Sequence, residues 1–125
     1  MKAYILVALG GGIGSLLRFG ISQLLNTKAI HTFPWATFLV NLLGCFLIGL
    51  LIGLSNKYQF QNQNQFNSFF LIGICGGFTT FSTFSVETLR LLQNSQNIQA
   101  ILYILGSILL GLALTFLGYF LFASR

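Results

Sequence analysis

Four apolar runs, Ala3 to Leu25, Trp35 to Leu54, Phe66 to Leu92 and Ile98 to Ala123, take up most of this sequence and constrain it more than anything else in it. Crossing the hydrocarbon core of a bilayer takes about 20 residues of helix at ~1.5 Å per residue, and each run is long enough. The expected fold is therefore an all-α integral membrane protein of four transmembrane helices, forming one domain over residues 1–125. The charge content leaves little alternative. Only 6% of the residues are charged and 55% are hydrophobic, whereas a water-soluble domain needs roughly a quarter of its residues charged.

The formal charge of +5 raises nucleic acid as a partner, but the basic residues do not form a patch. Lys2, Lys28, Lys57, Arg90 and Arg125 stand singly at the ends of the runs, where basic residues anchor helices and set their orientation. The implied partner is the lipid bilayer and not nucleic acid. Lys2 followed by apolar residues resembles the start of a signal peptide. The run is too long for one, contains Arg18 and lacks a clear small-residue cleavage site, so it reads as a retained first helix. Cys45 and Cys75 fall inside runs and read as small buried side chains, not as a disulfide or metal pair. The connections Asn26 to Pro34, Ser55 to Gln65 and Gln93 to Asn97 are too short for a second domain, and the second reads as a solvent loop.

Helices in lipid associate by close backbone approach through small residues. Gly10 with Gly14, Gly49 with Gly53, Gly73 with Gly77, and Ser107 with Gly111 all have the required spacing of four. The third run is unusual because adjacent Gly76 and Gly77 precede a stretch of Phe, Thr and Ser ending at Ser85. Two neighbouring glycines weaken a helix by roughly 1 kcal/mol each relative to alanine, which predicts a break within Gly76 to Thr80. Broken helices at membrane depth release amides and carbonyls that protein, ion or water must satisfy, so they recur at ion and substrate sites. The bland alternative is a glycine pair that only admits a neighbouring helix.

Several polar residues lie where lipid would reject them. Arg18 either faces an interior partner or reaches back to the interface. Asn41, seven residues into the second run, either lines a wet path or bridges helices, because an amide left unsatisfied in hydrocarbon is costly. Tyr103, Ser107, Gly111 and Thr115 recur every four residues and share a helix face. The hydroxyls among them could pass an anion along, or could bond back to their own helix. Phe78, Phe81 and Phe84 form a stripe whose ring edges carry positive potential, although such stripes usually pack. Glu87 is the single acidic residue, which is poor material for hydrolysis or metal chemistry. His31 lies in a connection. No nucleophile, base and orienting group occur together, so no enzyme is expected.

Gly10-x-x-x-Gly14-x-x-x-Arg18, Asn41-x-x-Gly44, and above all Gly76-Gly77-Phe78-Thr79-Thr80-Phe81-Ser82-Thr83-Phe84 resemble the Fluc (CrcB) family of small fluoride channels. The resemblance spans essentially the whole chain. It implies an antiparallel dual-topology homodimer in the inner (plasma) membrane, passing fluoride passively through two pores at the subunit interface. It also implies a fluoride pathway along Asn41, Phe81, Phe84, Tyr103 and Ser107, with the hydroxyls of Thr80, Ser82 and Thr83 beside it. A structural sodium ion at the dimer centre would rest on the carbonyls of Gly76 and Thr79. Arg18 and Glu87 would serve structural or vestibule roles. Gly111 stands where the family often has a hydroxyl, and Thr115 or water is the expected substitute.

Fluoride holds its water tightly, so a pathway must replace that water with donors without trapping the ion. Two other classes share parts of this pattern. A small proton-coupled multidrug exporter has four helices and dual topology but needs a membrane-buried carboxylate, and the first run has none. A non-transporting accessory subunit needs neither a broken helix nor a polar stripe.

Overall fold

The computed structural model describes residues 1–26 and 33–123, so Lys28, His31 and Arg125 lie outside the described residues. Among the described residues, four helical segments are long and apolar enough to cross a membrane. The first is α1 (Lys2–Asn26) and the second α2 (Trp35–Tyr58). The third span is composite: α3 (Gln63–Phe66), a π-helical stretch Asn67–Cys75, α4 (Gly76–Phe78) and, after a break, α5 (Phe81–Gln93). The last is α6 (Asn97–Ala123).

Helix α2 runs four residues past the expected end at Leu54, taking in polar residues that read as loop. The reason is local pairing. Ser55 is buried, accepts from Gln63 Nε2 at 3.1 Å and donates to Asn67 Oδ1 at 3.4 Å. The Lys57 ammonium lies over the rings of Tyr58 and Phe122, a favourable cation–π placement at the end of the helix. The helix ends at Gln59, whose φ of 41° is left-handed.

Two helix pairs make the scaffold, α1 against the first half of the third span and α2 against α6. Both are glycine seams, as the small-residue spacing predicted. A Cβ at Gly10, Gly14 or Gly77 would strike the carbonyls of Phe69, Ile74 and Gly11 respectively. At Gly49, Gly53 and Gly118 the obstacles are the carbonyls of Thr115, Tyr119 and Phe46. Backbone approach of this kind supplies the packing that the hydrophobic effect does not supply between helices in lipid. A small aromatic core of Phe38, Leu91, Ala100 and Tyr103, with Phe33 and Phe84 against it, ties α5 to that second pair. The Phe33 ring meets Phe38 and Tyr103 edge-on at 5.5 and 5.4 Å, the arrangement that ring quadrupoles prefer.

The third span breaks inside the expected segment, but not at the glycines. Gly76 and Gly77 are helical, and the chain becomes extended at Thr79 (φ −82°, ψ 157°) and Thr80 (φ −149°, ψ 115°). Gly77 serves instead to admit the backbone of Gly11, which is the bland role weighed for the pair. Upstream, the nine-residue π-helical stretch widens the helix. Wide turns of this kind are rare and occur often near functional sites.

Candidate functional site

The break at Thr79–Thr80 is built by residues far away in sequence. In an unbroken helix the Thr80 N–H would serve the Gly76 carbonyl. Here it donates to Asn41 Oδ1 at 2.8 Å, while Asn41 Nδ2 donates to the Thr80 carbonyl at 3.1 Å. One amide side chain thus holds both backbone groups of Thr80, so Asn41 bridges helices and also lines the cavity described below. The Thr83 N–H, helical partner of the Thr79 carbonyl, turns to Thr80 Oγ1 at 3.2 Å, a threonine N-cap on α5. The Gly77 carbonyl, deprived of the Phe81 N–H, receives Arg18 Nε at 3.2 Å and Ser15 Oγ at 3.4 Å. Arg18 therefore takes the interior of its two expected roles.

Beside the break lies a largely apolar cavity of about 590 Å³, open on one side. Asn41, Gly44, Cys45 and Ile48 of α2 form one wall, and Cys75, Gly76, Thr79 and Thr80 another. Phe81, Phe84 and Ser107 complete the polar and aromatic lining. The rings of Phe81 and Phe84 are 5.6 Å apart. Ser107 Oγ is buried and has no hydrogen-bond partner among the described residues. A buried hydroxyl left in that state costs roughly 1–3 kcal/mol.

The remaining candidates separate. The Tyr103 hydroxyl is fully buried and donates to Glu87 Oε2 at 2.8 Å, and Thr37 Oγ1 donates to Glu87 Oε1 at 2.8 Å. Glu87 and Tyr103 thus form a satisfied network behind Phe84, whose ring stands 4.8 Å from that of Tyr103. Thr115 Oγ1 donates within the α2–α6 seam, to the carbonyls of Gly111 and Cys45 at 2.9 and 3.1 Å. The stripe on α6 is therefore not one continuous wall of the cavity within a single chain: of its hydroxyls only Ser107 lines it. Thr83 and Ser82 cluster on Thr80 Oγ1 at 3.0 and 3.4 Å, and of these three only Thr80 borders the cavity.

Thr37 and Ser15 bond to Glu87 and to the Gly77 carbonyl, and the sequence reading does not single them out. A signal existed for Thr37, which precedes Asn41 by one turn on the α2 face that continues through Gly44, Cys45 and Ile48. None existed for Ser15, an unremarkable serine until the Gly77 carbonyl is placed beside it.

Residues 5–119 match the protein family described as CrcB-like protein, Camphor Resistance (CrcB). A protein of Azobacteroides pseudotrichonymphae named fluoride-specific ion channel FluC is 49% identical over 121 residues, covering 97% of this chain and 96% of its own. One of the same name from Thermus thermophilus is 50% identical over 119 residues, covering 95% and 94%. A third, from Helicobacter pylori, is 46% identical over 120 residues, covering 94% and 91%. With the family's pattern running through all four spans and through the break itself, the chain belongs to the CrcB-like protein family.

Proposed function

We propose that this protein is a fluoride channel of the plasma membrane, acting as an antiparallel homodimer with two pathways. The names of its relatives support the substrate. The observation that carries the reading for this chain is the cavity beside the break, which Asn41, Phe81, Phe84 and Ser107 line, with the Ser107 hydroxyl buried in its wall and without a partner among the described residues. An amide nitrogen has two N–H donors, and Asn41 commits one to Thr80. The second, the Ser107 O–H and the positive edges of the two rings form a donor set for a small anion leaving its water. Phe81 is 80% exposed in the single chain, as a residue completed by a second subunit would be.

The Gly76 and Thr79 carbonyls suit a structural sodium ion. Both have lost their helical donors, to Asn41 and Thr80 respectively, and neutral oxygens match a hard monovalent cation. One chain supplies too few of them, and a two-fold axis would double the set. The ion would contribute fixed positive charge at the break.

Liposomes containing only this protein are expected to release fluoride, which an accessory subunit would not do. In the same assay Ser107→Ala should lower efflux by about tenfold or more, equivalent to at least ~1.4 kcal/mol at the barrier. Its melting temperature should hold or rise, since the variant removes an orphaned polar group costing roughly 1–3 kcal/mol. A fall in stability with unchanged efflux would return Ser107 to a packing role.

Insertion in both orientations is expected as well. Lys2, Lys57 and Arg125 fall on one side by span count, with Lys28 and Arg90 on the other, and a bias of a single charge is too small to direct insertion. Reporter tags at the C-terminus should be reached from both sides of the membrane; access from one side alone rules out dual topology.

A further inference from the structure

Gly44 lies one turn beyond Asn41 on the same face of α2 and faces Thr79. A Cβ at Gly44 would overlap the Thr79 Cγ2 methyl, and the next neighbours are Phe78 Cδ1 at 3.3 Å and Thr79 Cβ at 3.7 Å. The main obstacle is thus one methyl group, with the edge of the Phe78 ring a lesser one. Rotating that methyl away would cost the bond that Thr79 Oγ1 donates to the Cys75 carbonyl at 3.0 Å, on a β-branched side chain with few χ1 rotamers. The backbone cannot retreat freely either, because Asn41 holds both polar groups of the next residue, Thr80.

We propose that Gly44 is a positioning residue that seats the Thr79 methyl and, with Asn41, forms a two-point dock on α2 for the broken third span. Asn41 grips Thr80 by its backbone, and Gly44 receives Thr79 by its side chain. Together they set where the extended residues lie, and with them the Thr79 carbonyl and the Phe81 ring that follows. The proposal rests on the fluoride-channel reading for its effect on flux, and on geometry alone for its effect on the break.

The test uses the full chain in liposomes for fluoride efflux, and hydrogen exchange of residues 78–83 for the break, on five proteins. These are the unmodified chain, Gly44→Ala, Thr79→Ser, the double variant, and Gly20→Ala, where an added Cβ meets open space. By helix propensity alone Gly44→Ala should help α2. The dock predicts instead a loss of efflux of roughly tenfold or more, the scale on which small misplacements of site groups act. Exchange around Thr80 should rise as its bond to Asn41 loosens, while α6 stays protected.

In the Thr79→Ser background the methyl is absent and the hydroxyl bond to Cys75 is retained. Adding Gly44→Ala there should change each readout several-fold less than in the unmodified chain, because only the lesser Phe78 contact remains, and Gly20→Ala should match the unmodified chain. An equal penalty from Gly44→Ala in both backgrounds would overturn the dock, as would normal efflux and normal exchange in Gly44→Ala alone. If Gly44→Ala alone does not fold, the double variant decides: recovery of folded protein that behaves as Thr79→Ser supports the dock, and an unfolded double variant overturns it. If the unmodified chain releases no fluoride, the channel reading fails, and the exchange data still decide the dock.

Discussion

Replacing Asn41 with leucine is expected to abolish fluoride efflux and to lower the melting temperature with it. Leucine has the branched skeleton of asparagine with somewhat more bulk, but can neither accept from the Thr80 N–H nor donate to its carbonyl, the two bonds of 2.8 and 3.1 Å that define the break. Each buried backbone group left unpaired costs roughly 1–3 kcal/mol, so the loss is about 2–6 kcal/mol. At ~1.4 kcal/mol per factor of ten, even the lower end shifts the population of the correctly broken span by more than an order of magnitude. Asn41→Asp refines the test. A carboxylate still accepts from Thr80 but cannot donate, and it places negative charge in the wall that the anion must pass. Its efflux should be as low as that of Asn41→Leu. Efflux and melting measured on the same samples check this, and a normally conducting Asn41→Leu protein would remove Asn41 from both roles.

The second large effect concerns the two rings, which the structure separates. Phe81→Ile should lower efflux by at least about tenfold with little change in melting of the chain, because Phe81 is 80% exposed in the single chain and its ring contact is with Phe84. Isoleucine keeps the apolar bulk but lacks the positive ring edge, so it cannot help replace fluoride's water. Phe84→Ile should lower both quantities. Its ring also packs on Tyr103 at 4.8 Å, and such a pair contributes about 0.5–1.5 kcal/mol beyond its buried area. Dimer recovery, melting and efflux on both variants test the assignment. Normal efflux in both would leave the rings as packing residues only.

Much of this was legible in the residues because it depends on local composition. Span number follows from hydropathy, and the four-residue glycine spacings fall on the seams of both helix pairs. Less legible was the register of the break. Glycine weakness pointed to a break within Gly76 to Thr80, and inside that segment the glycines stay helical while Thr79–Thr80 leave the helix. That choice depends on Asn41, 39 residues earlier, whose amide replaces the helical partners of Thr80. The hydroxyl stripe on α6 was legible only as a shared face. A period of four puts Tyr103, Ser107 and Thr115 on one face, but each finds a different environment along it. Tyr103 meets Glu87, Thr115 meets its own helix and the Cys45 carbonyl, and Ser107 meets the cavity.

By itself the sequence determined that this chain lives in a membrane as four helices, that its third span is weak near Gly76 to Thr80, and which family pattern it carries. Those properties are sums over neighbouring residues: hydrophobic run length, helix propensity and motif spacing. Tertiary structure decided which backbone groups are released and who receives them, so that Arg18 takes the Gly77 carbonyl, Asn41 takes Thr80, and Ser107 is left without a partner. A hydrogen bond is settled only when donor and acceptor are brought within about 3 Å in a medium that offers no water as an alternative. For these groups that happens only once the third span is packed against α1 and α2, and α2 against α6.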